Sequence, residues 1–281
     1  MKILDFKEIV RMIEEKKRKR NKGKKKRKAS KKYSRKSDVL SLTILIVAVC
    51  VFVFSLYQLA MLLVPYYFGG QEYDEVKKLV ITTEKKDTGE ETFQVDFEAL
   101  QAENSDTVAW IRFEEPAVIS YPVVKGMDND LYLTKTFTAS DNKLGAIFMD
   151  YRNASSFSNR NTIIYGHNLK VGGEMFSQLN EYADEAFYKE HPYFYIYTPD
   201  GKTRMYEVFM AGVVSDQAEN YTMKFESDDA YLNYLDTCRK SSAYQTDASL
   251  SAGSRIVTLS TCTNVRDDER FIVQGVLVTE E

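Results

Sequence analysis

Arg255-Ile-Val-Thr-Leu-Ser-Thr-Cys262 and, after seven mostly polar residues, Arg270-Phe-Ile-Val-Gln-Gly-Val-Leu-Val278 are the two runs whose spacing decides the fold. Both are rich in β-branched residues, and both are short enough for strands. The connection 263–269 is short and polar, so the runs read as an antiparallel hairpin. Cys262 stands where the alternation stops, and Arg270 opens the return strand, so turn length places the two across the hairpin mouth from each other. Working outward, six more β-branched and aromatic runs lie at 108–113, 118–124, 145–149, 162–165, 193–198 and 205–214. Eight such runs separated by turn residues predict a mainly β fold, a closed or nearly closed barrel.

Helical spacing marks three other segments. Residues 71–105 carry Tyr73, Val76, Leu79 and Val80, then Val95, Phe97, Leu100 and Ala102, at loose helical spacing, which reads as a stalk and a docking helix. Two insertions interrupt the strands, at 173–190 and 228–240. In the second, Tyr231, Leu235 and Cys238 recur at i, i+4 and i+7, which puts Cys238 on the apolar face as a small buried hydrophobe. A disulfide from Cys238 to Cys262 is the arithmetical alternative.

The amino-terminal quarter has a different composition. Residues 1–38 hold 18 Lys and Arg against 5 Asp and Glu, residues 39–64 hold no charge, and residues 65–281 hold the remaining 20 basic and 36 acidic residues. At about 1.5 Å per residue the 26-residue apolar run exceeds the roughly 30 Å of a bilayer's hydrocarbon. A cleaved signal peptide normally has a shorter apolar region and ends in small residues, whereas this run ends Leu62-Leu63-Val64-Pro65-Tyr66. The basic tail abuts the run, which predicts a cytoplasmic amino terminus and an exported body rather than a nucleic-acid patch; the tail also suits anionic lipid. The expected organisation is a tail at 1–38, an anchor at 39–64, a helical stalk with amino-terminal helices at 65–105 and a catalytic barrel at 106–281.

His167 ends the apolar run at 162–165 as it gives way to a polar loop. His191, the other histidine, ends a helical stretch rich in Glu and Lys, where an imidazolium suits the helix's carboxyl end. A cysteine, a histidine and an arginine at three strand ends form a nucleophilic set. A thiol of ordinary pKa, about 8.5, needs a cationic neighbour to become the attacking thiolate. The histidine protonates the leaving amine, and the arginine supplies fixed donors to an oxyanion or to the substrate backbone. Two isolated histidines and no clustered cysteines predict no metal site, and there is no Gly-rich phosphate loop, so no cofactor is expected. Asp267-Asp268-Glu269 reads as a solvated loop, with calcium binding or tuning of the adjacent arginine as alternatives.

Thr258-Leu259-Ser260-Thr261-Cys262 followed by Arg270 resembles the TLxTC signature of sortases. Tyr165-Gly166-His167-Asn168 is similar to the histidine segment of class B, residues 145–153 resemble the strand ahead of it, and the helix at 228–240 matches the long helix that separates class B from class A. The resemblance spans about residues 70–279. It implies an eight-stranded β-barrel with an amino-terminal helical bundle and a long helix before the penultimate strand, and His167, Cys262 and Arg270 as catalytic residues. It also implies that Tyr221, Ser260 and Thr261 line the substrate groove. The implied reaction is cleavage after Thr in the carboxyl-terminal sorting signal of a secreted protein. The thioester then passes to an amine of the peptidoglycan precursor in Gram-positive bacteria, or to a pilin lysine. Thr134, where some relatives have Asn, and the short 263–269 loop leave the peptide open between NPQTN-like and LPxTG-like signals. A cysteine hydrolase and a non-catalytic tethered binding module are the readings outside this chemistry.

Overall fold

The computed structural model describes residues 6–85, 91–115, 119–169 and 173–281; side chains at 6, 7, 9, 29–38, 82–85, 91 and 92 fall outside that description. Two compact units make up the chain, residues 1–62 and 63–281. The first is helical throughout its described residues, within α1 (Phe6–Val80). From Val39 onward that helix is long and apolar enough to cross a membrane, and none of its most apolar window is buried against protein.

In the second unit, the end of α1 is followed by a two-stranded antiparallel hairpin, β1 (Ile81–Lys85) and β2 (Glu91–Val95), and then by α2 (Phe97–Glu103). The stalk and docking helix expected over 71–105 are the end of α1 and α2, and the hairpin that separates them was not expected. Ile81-Thr82-Thr83 and Thr92-Phe93 are β-branched or aromatic and favour a pleated strand. Asp96 starts a new helix by accepting the Ala99 N–H at 2.9 Å.

Eight strands close a barrel: β3 (Thr107–Phe113), β4 (Ser120–Val124), β5 (Ile147–Met149), β6 (Asn161–Tyr165), β7 (Tyr193–Tyr197), β8 (Thr203–Ser215), β9 (Ile256–Cys262) and β10 (Glu269–Glu280). Their order around the barrel is β10, β8, β7, β3, β4, β5, β6 and β9, which returns to β10. Each expected strand is present; the predicted start of β4 at residue 118 lies outside the described residues. Two pairs, β4 with β5 and β6 with β9, are parallel, and the others are antiparallel.

The insertion at 173–190 is not one helix. A 3-10 segment, Ser177–Ala183, gives way at Asp184 to the short α3 (Glu185–Glu190), because the Asp184 carboxylate caps the new helix at Ala186 N–H, 2.9 Å. His191 sits at the end of α3, where its N–H bonds the Phe187 carbonyl at 3.0 Å, in keeping with a structural place there. The long helix α4 (Asp228–Lys240) has the predicted bounds and precedes the penultimate strand. Ser227 caps it, and Tyr231, Tyr234, Leu235 and Cys238 are buried against the outer side of β8, β9 and β10. Each fully buried side chain of this kind contributes about 1.5–3 kcal/mol, which fixes α4 to the barrel. All three cysteines are free.

Candidate active site

Strand pairing assembles the site. In the antiparallel β9–β10 ladder Cys262 pairs with Arg270, so their side chains share one face. In the parallel β6–β9 ladder Tyr165 pairs with Ser260. Two residues further along both chains, His167 and Cys262 therefore leave the sheet at the same level. Two loop bonds keep them there: the Gly166 N–H donates to the Ser260 carbonyl at 3.1 Å, and the Asn168 amide donates to the Cys262 carbonyl at 2.7 Å. Asn264, at a left-handed φ of 60° that asparagine tolerates, ties the far side by donating to the Asn168 carbonyl at 2.8 Å.

His167, Cys262 and Arg270 line one cleft of about 320 Å³. Leu133, Phe148 and Tyr165 give it an apolar wall, and Asn129, Ser260 and Thr261 add polar groups. The His167 Nε2–H donates to the Leu133 carbonyl at 2.7 Å. Gly145 packs on the same ring: at φ +64° it takes a left-handed conformation, and a Cβ there would lie 2.7 Å from His167 Cδ2 and 2.9 Å from Nε2. Arg270 is fixed by its own turn, with Nη1 donating to the Asp267 carbonyl at 2.7 Å and the Glu269 carbonyl at 2.9 Å, and Nη2 lies 3.8 Å from the Asp216 carboxylate. In the neighbouring acidic loop, Arg266 bonds Asp268 at 3.3 Å and lies 3.6 Å from Glu269.

The expected groove residues occupy different layers. Ser260 and Thr261 line the cleft, and the buried Thr261 Oγ1 has no hydrogen-bond partner. Tyr221 stands behind that wall and reaches it through a 2.8 Å bond between its hydroxyl and that of Ser260. Burial pushes the Tyr221 phenol up to about 12. A buried polar network holds the Tyr221 segment: Asn161 donates to the Asn220 and Thr222 carbonyls, both at 3.0 Å, and Asn220 donates to Gln274 Oε1 at 3.2 Å. Gln274 in turn donates to Thr258 at 2.9 Å and to Tyr234 at 3.3 Å.

A second network, which the sequence reading missed, lies beside the cleft around Asp150. Its fully buried carboxylate accepts from Arg152 Nε at 2.8 Å and Nη2 at 2.7 Å, from Asn129 at 3.0 Å and from the Tyr165 hydroxyl at 3.0 Å. Burial alone would raise Asp150, but the bonds from Arg152 and Asn129 outweigh it and hold the carboxyl below its usual range. Asn129 and Tyr165, both cleft residues, are thus anchored on one charge. The available signal was a carboxylate immediately after the apolar run 145–149 with an arginine two residues on.

Known proteins match this arrangement. The sortase domain family model matches residues 116–278, more than half of the chain. Sortase B of Listeria monocytogenes is 36% identical over 185 residues, 64% of this chain and 73% of that protein. Sortase B of Staphylococcus aureus is 32% identical over 184 residues, 65% of this chain and 74% of that protein. Among solved structures, sortase B from B. anthracis in complex with AAEK1 superposes with a TM-score of 0.67 at 33% identity, covering 77% of this chain and 99% of that one. With the closed eight-stranded barrel and the long helix ahead of its penultimate strand, these matches establish that the chain belongs to the sortase family, as a class B sortase and hence a cysteine transpeptidase.

Proposed function

We propose that Cys262 is the nucleophile of a membrane-anchored transpeptidase that cleaves a carboxyl-terminal sorting signal after Thr and joins the released carbonyl to an amine of the cell-wall precursor. The observation that carries this reading is the convergence of His167, Cys262 and Arg270 on one cleft through two strand registers and one loop bond. The Cys262 thiolate attacks the Thr carbonyl carbon, so that a C–S bond forms and the carbonyl oxygen becomes an oxyanion facing the Arg270 fork. The C–N bond then breaks as the leaving amine takes a proton from the His167 imidazolium. With Nε2 committed to the Leu133 carbonyl, Nδ1 is the nitrogen that exchanges that proton. An acceptor amine attacks the thioester, His167 takes its proton, and Cys262 leaves as thiolate. Tyr221, Ser260 and Thr261 shape the groove for the peptide.

Residues 39–64 hold the enzyme in the membrane, with the basic residues 1–38 in the cytoplasm and the catalytic barrel, 106–281, outside; the charge asymmetry supports this orientation. The test is to incubate the enzyme with NPQTN-type and LPxTG-type fluorogenic peptides and either a cell-wall-type amine or a pilin-type lysine peptide, and to identify the products by mass spectrometry. The expected product is the Thr carbonyl joined to the cell-wall-type amine. A lysine adduct in its place would assign the enzyme to pilus assembly, and hydrolysis alone in the presence of both amines would contradict transpeptidation.

A further inference from the structure

We infer that Tyr73, on the helical stretch that follows the apolar span, is a positioning residue for His167, acting through Gly145. The inference rests on the catalytic reading of His167. The Tyr73 side chain is buried, and its hydroxyl joins two points of one loop. It donates to the Gly145 carbonyl at 2.8 Å and accepts the Phe137 N–H at 3.1 Å, bridging 72 and 64 residues of sequence. Two further bonds from the same stretch of α1 hold that loop: the Asn142 amide donates to the Pro65 carbonyl at 2.8 Å, and the Thr138 N–H donates to the Glu72 carboxylate at 3.0 Å. The packing is close enough that a Cβ on Gly69 would lie 2.7 Å from Leu144.

The loop's other side is the cradle of the imidazole. The Leu133 carbonyl accepts from His167 Nε2, and the Gly145 backbone lies against the ring. The Gly145 peptide is thus gripped on one side by Tyr73 and presses on His167 with the other. Residues 63–80 and the barrel form one compact unit, so the helix leaving the apolar span is part of the active-site scaffold. The chain's active geometry depends on that helix being docked.

The test uses the full-length chain in detergent micelles. Tyr73→Phe keeps the ring and removes the hydroxyl. Tyr231→Phe is the structural comparison, because the hydroxyl of Tyr231, on α4, also lies within hydrogen-bond reach of two backbone carbonyls distant in sequence, Arg160 at 3.0 Å and Ser254 at 2.9 Å. The chain has two histidines, so the imidazole resonances of His167 and His191 can be followed separately by NMR. Tyr73→Phe should lower kcat about ten-fold on the peptide the wild type cleaves, with KM within two-fold, on the scale in which 1 Å of misplacement costs about 10²-fold. It should also shift the His167 resonances and leave those of His191 in place. Tyr231→Phe should lower the Tm and leave kcat and both sets of resonances unchanged. If Tyr73→Phe behaves like Tyr231→Phe, the hydroxyl is only structural and the inference is wrong. Retained turnover in His167→Ala would overturn the catalytic reading instead, and the His167 resonance shift in Tyr73→Phe would still decide the coupling.

Discussion

Replacing Gly145 by Ala adds one methyl group where the structure has no room for it. Holding Ala at a φ of +64° costs about 1–2 kcal/mol, the usual penalty for a Cβ in the left-handed region. The new Cβ would stand 2.7 Å and 2.9 Å from the His167 ring and 2.9 Å from the Tyr132 carbonyl oxygen. The carbonyl belongs to the backbone and gives little, so the imidazole must move, and relief of such overpacking adds about 1–3 kcal/mol. The summed destabilisation, about 2–5 kcal/mol, reaches at most the low end of the 5–15 kcal/mol that typically holds a domain folded, so a folded population remains to be measured. A ring displaced by about 1 Å loses its bond to the Leu133 carbonyl and about 10²-fold in turnover. Urea denaturation gives the first quantity, and initial rates on a fluorogenic sorting peptide give the second. A variant destabilised as predicted but turning over within three-fold of wild type would refute the idea that the Gly145 contact positions the histidine.

Three further outcomes follow from other contacts. Arg270→Lys keeps the charge but loses the planar fork that bonds the Asp267 and Glu269 carbonyls; turnover should fall by about 10²-fold or more with thermal unfolding little changed, and near-wild-type turnover would mean that only charge matters there. Gln274→Leu strands the buried Asn220 amide, so urea denaturation should show a loss of about 1–3 kcal/mol. KM should rise because the Tyr221 segment loosens, whereas an unchanged KM would separate Tyr221 from peptide binding. Bonds from Lys202 and Arg255, against a smaller opposing effect of burial, hold Glu280 down at about 2 rather than 4.5. A depressed folded-state pKa stabilises the fold above about 4.5, and that contribution is lost as the pH falls through 2. Glu280→Gln should therefore flatten thermal stability between those values relative to wild type, and identical profiles would remove Glu280 from the acid response.

The parts of this molecule that depend on neighbouring residues were legible in the sequence. The alternation ending at Cys262, the polar 263–269 turn and the strand opening at Arg270 fixed a local hairpin, and the observed register pairs the two residues as expected. Helix α4 was equally plain, because the apolar stripe of Tyr231, Leu235 and Cys238 is local. The parallel β6–β9 pairing was not legible, since nothing in 161–165 names a partner 95 residues away. For the same reason the carbonyl of Leu133 and the close approach of Gly145 escaped notice, since each reaches His167 from another loop; the Asp150 network had a local half in Arg152, two residues on, but its bonds to Asn129 and Tyr165 join other segments. The hairpin at β1–β2 was hidden by coincidence, because Val95, Phe97 and Leu100 fit helical spacing loosely although Val95 closes a strand and Phe97 opens a helix.

The most direct measurement is the mass of the enzyme after incubation with a Thr-containing sorting peptide and no acceptor amine. Wild type and Cys238→Ala should each gain the mass of the acyl fragment, mapped by proteolysis to Cys262. Cys262→Ala should gain none, and Cys262→Ser should be nearly inert because serine does not offer the readily formed anion of the thiol. Cys238 is buried on the apolar face of α4, where burial pushes its thiol up to about 11, so it should carry no adduct. An acyl adduct on Cys262→Ala, or its loss from Cys238→Ala, would contradict the assignment of Cys262 as the nucleophile.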